Sequence, residues 1–253
     1  MGLRRIQYLI VLVGGACLLP NGSAFATDTG APNQQTLPSI FISVDMEGVA
    51  GAVTDEQLRI GGFEFEKFRE ILTNEVLAAI QGARAAGAGE IVVADSHGNG
   101  QNILVDRLPT DIRLIRGEPR PLSMVEGIQS REFSGAIFIG YHASASNPGG
   151  VRAHTKSSAR ISEIRVNGSA ASEGLLYAAV AGEYGVPVIM VSGGDRAIEE
   201  IVDVIGPIEQ AVVKQAIGFH SAETLTPMAA QDLIREKAQI AVQRIEEFDC
   251  ASY

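Results

Sequence analysis

The sequence predicts an α/β fold: a single domain with a mostly parallel central sheet flanked by helices, together with a small subsidiary lobe. Two observations predict it. Short runs rich in Ile, Val and Ala recur without alternating polar residues, the pattern of strands buried on both faces. Longer helical stretches fall between those runs, as parallel strands require crossover connections. A third observation sets the scale. The 253 residues are 46% hydrophobic and 20% charged, with 28 Gly and 10 Pro, enough apolar side chain for a sizeable core and unlike a disordered or collagenous chain.

Taken in order, the first segment reads as an address. Met1–Arg5 carries two Arg, Ile6–Leu19 is an uncharged apolar run, and Ser23-Ala24-Phe25-Ala26 places small residues before a cut at Thr27. That is a secretory signal peptide over residues 1–26, since a run this short does not span a bilayer as a helix of about 20 residues. Gly14-Gly15-Ala16-Cys17 only partly resembles a lipoprotein cleavage box, so anchoring through Cys17 is the lesser expectation. Residues 27–38 are polar with Gly and Pro and read as a flexible leader. The domain is expected over residues 39–253.

Within it, Ile40–Val44, Ile91–Ala94, Ala136–Gly140 and Val186–Val191 read as buried strands, with Ile112–Ile115 a weaker fifth. Ile161–Val166 and Gln210–Ala216 read as further strands at an edge or in a subsidiary sheet. Helices are expected over Phe63–Ala86, Ser172–Tyr184, Arg196–Ile205 and Met228–Phe248.

Charge and cysteine usage narrow the function classes. Net charge is −10, and signal cleavage removes Arg4 and Arg5 but no acid, giving −12. Such a chain is not a nucleic-acid binder, because phosphate backbones attract clustered Lys and Arg. Cleavage also leaves Cys250 alone, so no intrachain disulfide is expected. No later stretch is long and apolar enough for a membrane span.

Open α/β sheets bind ligands beyond the carboxyl ends of their strands. The first strand ends in Asp45-Met46-Glu47-Gly48, the second in Asp95-Ser96-His97-Gly98, and the third in Tyr141-His142-Ala143. Taken singly, each has a commoner explanation: an Asp after a strand is a turn or cap residue, and a lone strand-end His is a satisfied structural group. Together, two carboxylates and two imidazoles arriving at one edge from three strands match a divalent transition metal. Mixed oxygen and nitrogen donors suit Zn²⁺, and a shared carboxylate suits a two-metal site. Glu173 lies in the first turn of a helix, where an acid also suits the helix dipole, and His154 follows a Ser, Gly and Pro-rich loop. Asp95 reads as orienting a neighbouring ligand. Lys156, Asn167 and Asp195 read first as surface or turn residues.

Ser43-Val44-Asp45-Met46-Glu47-Gly48, Asp95-Ser96-His97, Ser123-Met124-Val125-Glu126-Gly127 and Gly140-Tyr141-His142-Ala143 together resemble the D-aminopeptidase family of zinc metallopeptidases. His154, Glu173-Gly174 and Gly194-Asp195-Arg196-Ala197 follow in the same order. The resemblance implies that Asp45, Glu47, His97, His142 and Glu173 bind a pair of zinc ions. It further implies that Asp45 bridges them and that His154 is a non-ligand catalytic residue. It also implies a homo-oligomer, since the founding enzyme forms a decameric ring. The expected activity is hydrolysis of the N-terminal residue, a D-amino acid, from short peptides by an exported, periplasmic enzyme. Two alternatives stay open on the residues alone: a two-metal amidase or esterase that needs no free N-terminus, and a metal-dependent periplasmic ligand-binding protein.

Overall fold

A computed structural model describes residues 37–251. The expected signal segment with Cys17, and the leader up to residue 36, lie outside the described residues.

The chain runs β1 (Ile40–Val44), α1 (Asp55–Leu58), α2 (Phe65–Ala85), β2 (Ile91–Asp95), β3 (Arg113–Ile115), β4 (Gly135–Tyr141), β5 (Arg165–Val166), β6 (Ser169–Ala170), α3 (Glu173–Glu183), β7 (Val188–Gly194), α4 (Asp195–Ile205), β8 (Glu209–Gly218), β9 (Ser221–Thr224) and α5 (Pro227–Gln243). Seven strands form one sheet in the order β3-β2-β1-β4-β7-β8-β9. Every neighbouring pair is parallel except β8–β9.

The apolar runs form the sheet because every residue of β1, β2 and β4 is buried. Period-two alternation sends Ile40, Ile42 and Val44 to the face covered by α2 and α5, and Phe41 to the opposite face, packed with residues of α3 and α4. Helices therefore cover both faces, as a parallel sheet requires. Among the described residues no helix is long and apolar enough to cross a membrane.

Two expectations change. The strand over Ile161–Val166 shrinks to β5, which pairs only with β6 in a separate hairpin. Asn167 and Gly168, both at positive φ (49° and 87°), turn that hairpin as a primed two-residue loop. The last helix ends at Gln243 rather than Phe248 and is followed by a 3-10 turn over Ile245–Glu247. β9 has no counterpart in the sequence reading.

The order of the strands fixes where a site forms. From β1 the chain builds β2 and β3 to one side, then crosses to β4 on the other. The crevice beyond the ends of β1 and β4 is thus a topological switch point.

Candidate metal centre

β1 delivers Asp45 and Glu47. Its end is pressed against the end of β4: the Asp45 N–H donates to Ile139 O at 2.8 Å and the Gly48 N–H to Gly140 O at 2.7 Å. A Cβ at Gly48 would strike the Tyr141 carbonyl, and Gly140, at φ +73°, lies against the Asp45 carbonyl, so both positions require glycine. The turn that follows is held from below. Lys214 of β8, fully buried, donates through Nζ to the carbonyls of Glu47 (2.5 Å), Val49 (3.0 Å) and Ala52 (2.5 Å). Glu75 of α2 accepts the Ala50 N–H at 3.0 Å.

β2 delivers His97. The Asp95 carboxylate accepts the Asn102 N–H (2.6 Å), the Asn102 side-chain amide (2.8 Å) and the Ile103 N–H (2.7 Å), curling the loop back on itself. The Asn102 amide also donates to the His97 carbonyl, so Asp95 positions His97 through the loop rather than through the ring. His97 Nε2 lies 2.7 Å from the Leu58 carbonyl, which can only accept, so Nε2 carries the proton. Nδ1 then faces Glu47 Oε2 at 2.9 Å and Asp45 Oδ1 at 3.3 Å.

β4 delivers His142, whose Nδ1–H donates to Ala143 O at 2.9 Å. Its Nε2 lies 3.3 Å from Asp45 Oδ2 and 3.6 Å from Glu173 Oε1. Glu173 opens α3, where Ser172 caps the helix by accepting the Leu175 N–H; the Glu173 carboxylate is thus free to turn into the crevice, where it accepts the Lys156 N–H at 2.7 Å. His154 stacks on His142 with ring centres 4.1 Å apart and 6° between planes. Its Nδ1–H donates to Arg152 O at 2.9 Å, and its Nε2 stands 3.8 Å from Glu173 Oε1.

All six predicted site residues therefore converge. They form two sets, Asp45–Glu47–His97 and His142–His154–Glu173, each offering three donor atoms within 4.8 Å of one another. Asp45 faces both: Oδ1 looks toward His97 and Oδ2 toward His142. Oδ2 is buried and accepts no hydrogen bond. A buried carboxylate oxygen without a partner is costly, and a divalent cation between the sets would supply one. The oxygen and imidazole donors, with each ring held by its second nitrogen, suit zinc.

A profile of the D-aminopeptidase family matches residues 39–253. The chain belongs to this family. It is 39% identical over 204 residues to the D-aminopeptidase of Bacillus subtilis (strain 168), covering 81% of this chain and 73% of that protein. Among solved structures it resembles the Zn-dependent D-aminopeptidase of Bacillus subtilis, described as a self-compartmentalizing protease, with a TM-score of 0.78 and 37% identity over 84% of this chain and 76% of that one. This D-aminopeptidase-family chain is accordingly a peptide hydrolase on an α/β fold.

Burial, then the neighbouring Glu47, raises Asp45 to about 7. Burial opposes charge on Glu47, yet His97 holds it well below the usual carboxylate range. Burial likewise opposes charge on His142, but the Glu173 hydrogen bond and the Asp45 charge raise it to about 10. His154 is shifted the other way, lowered by burial and by His142. Three carboxylates gathered this closely demand positive charge.

Two cavities meet here. An inner one of about 380 Å³ is lined by Asp45, His142 and Glu173, and an outer cleft of about 550 Å³ by Asp55, Arg59 and Arg152. Glu47, His97, His154 and Lys156 border both.

The supporting residues were the ones the sequence hid. Lys214 follows the apolar run Ala211-Val212-Val213 in its strand and Glu75 sits on the buried face of α2, a signal visible only once strand and helix faces are assigned. Asp195, by contrast, accepts the Ala216 N–H at 3.0 Å and ties α4 to β8. Asn167 is the hairpin turn.

Proposed function

We propose that this protein is a zinc-dependent aminopeptidase that releases the N-terminal residue, a D-amino acid, from short peptides. The observation that carries the reading is Asp45: one buried carboxylate, each oxygen turned to a different imidazole, one of them unpartnered. In this reading Asp45, Glu47 and His97 would hold one zinc ion, and Asp45, His142 and Glu173 would hold a second. The zinc-dependent relative supports the metal, and the family supports the D-amino acid.

Zinc at these positions supplies Lewis acidity and a nucleophile at neutral pH. His154 does the proton work. Its Nδ1–H is committed to Arg152 O, so the lone pair of Nε2 faces the cavities and can accept a proton from water and return it to the leaving amine. It is half-buried beside both cavities, whereas His142 lies deeper, which supports His142 at the metal and His154 at the substrate.

Two further readings belong to the whole protein. Residues 1–26 carry the charge, apolar run and small residues of an export signal, supporting a periplasmic enzyme. The self-compartmentalizing relative supports assembly of several copies.

The test is metal analysis of the purified protein, with turnover of D-Ala and L-Ala dipeptides before and after chelation. Bound zinc, preference for the D-dipeptide and loss of activity on chelation are expected. No bound metal and activity indifferent to chelator would overturn the assignment. Equal turnover of N-acylated substrates would turn it into an amidase.

A further inference from the structure

Two non-glycine residues at the inner cavity hold left-handed backbone, Ser123 at φ 49° and Lys156 at φ 63°. Such conformations persist in side-chain-bearing residues where the surroundings enforce them, and they cluster at functional sites. Here the two converge on one contact: Lys156 Nζ donates to Ser123 Oγ at 2.9 Å. The same ammonium stands 5.4 Å from the Tyr177 ring centre and makes no salt bridge among the described residues. Glu173 takes the Lys156 backbone N–H, so the ammonium is left with donor capacity that the fold does not use.

Its position says what that capacity faces. Lys156 borders both cavities beside His154, where the ligand-lined pocket opens into the outer cleft. A peptide reaching from the cleft to the metal ligands would place its scissile carbonyl at that junction. Arg59 and Arg152 line only the outer cleft, on the side where the leaving residue and its carboxylate would lie.

We propose that Lys156 is a catalytic residue whose ammonium donates a hydrogen bond to the oxygen of the scissile carbonyl as that oxygen takes on negative charge. The inference rests on the peptidase reading above. As the water oxygen bonds to the carbonyl carbon, the C=O π pair moves onto the oxygen beside Lys156 and one water proton passes to His154 Nε2. That pair then re-forms the C=O bond as the C–N bond breaks; the C–N electron pair stays on nitrogen, which takes the proton from His154. Ser123 aims the ammonium and is a positioning residue.

The experiment compares the wild type, Lys156→Met, Lys156→Arg and Ser123→Ala, all zinc-loaded, on D-Ala-D-Ala and its C-terminal amide. Lys156→Met is expected to lose about 10²-fold in kcat on both substrates, the scale of one lost oxyanion donor, with KM within about threefold. Calorimetry with a phosphinate dipeptide analogue should show a comparable loss of affinity. Zinc content should stay at the wild-type level, because the backbone N–H of residue 156 is what holds Glu173. Lys156→Arg should recover part of the rate, and Ser123→Ala, which keeps the charge, should lose about threefold to tenfold. Unchanged kcat in both Lys156→Met and Ser123→Ala would overturn the proposal, as would a loss confined to the dipeptide with a free carboxylate. Wild-type enzyme idle on both substrates would overturn the peptidase reading itself, and the role of Lys156 with it.

Discussion

Each of the three imidazoles at the centre commits one nitrogen to a main-chain carbonyl: His97 to Leu58, His142 to Ala143 and His154 to Arg152. The carbonyl holds one N–H and fixes the ring orientation, so the other nitrogen faces the crevice. What separates the rings is what that nitrogen meets. His97 and His142 face Asp45, while His154 faces Glu173 from farther away, at 3.8 Å. Substitutions should divide accordingly. His154→Ala is expected to cut kcat by about 10²–10⁴-fold while zinc content stays near the wild-type value. His97→Ala or His142→Ala should instead weaken zinc binding by about a hundredfold or more, read by titration against a chromophoric chelator. An empty site in His154→Ala would make that residue a ligand and reverse the assignment.

At the scale of elements, the segment after β1 is clamped by two side chains from opposite directions. Lys214 reaches from β8 to three carbonyls, matching the three N–H groups of an ammonium, although burial draws its pKa down to about 7. Glu75 reaches from α2, and burial raises it from 4.5 to about 7 against the pull of the Ala50 N–H and of Lys214, the charged group facing it. The linkage sign follows. An acid whose folded pKa lies above its unfolded value favours the folded state most at low pH, and that contribution is lost as pH rises from about 4.5 through 7. The full span corresponds to roughly 3 kcal/mol. Glu75→Gln removes this term, so denaturant unfolding of the zinc-loaded variant should show a flatter pH profile than wild type over that window; an identical slope would show that Glu75 does not titrate there. This clamp also marks the limit of what the sequence discloses. The buried runs that became β1, β2, β4 and β7 were legible because burial on both faces leaves an unbroken apolar signature, and their terminal Asp, Glu and His stood out against it. β9 was not, since Ser221–Thr224 is a mostly exposed edge strand with no apolar side. Neither was α1, which is four residues long and shows only in its capping box, the Thr54 hydroxyl and the Gln57 side chain. Yet α1 supplies the Leu58 carbonyl that orients His97. Main-chain partners of this kind carry no residue identity, so they become visible only in three dimensions.

For the whole molecule, the centre is where the fold is joined. Asp45 and Glu47 come from the end of β1, His97 from the end of β2, His142 from the end of β4, and Glu173 from the first turn of α3. These segments lie on both sides of the switch point, and three of their carboxylates crowd together with one oxygen left unpartnered. A cation binding there satisfies groups from all four segments at once, and none of these segments is held together in the unfolded chain. Zinc should therefore stabilise the folded body by mass action, adding about 2.7 kcal/mol at a free concentration one hundred times its dissociation constant. For a body of this size that corresponds to a rise in Tm of roughly 5–10 °C. Calorimetric scans at several buffered zinc concentrations should show Tm climbing with the logarithm of free metal, and chelated protein should melt lowest. Asp45→Asn removes the charge shared by both sets, so its Tm should be nearly flat across the same series. A wild-type Tm that ignores both zinc and chelator would mean that the convergence of these four segments does not depend on a cation, and the two-zinc reading would fall at its base.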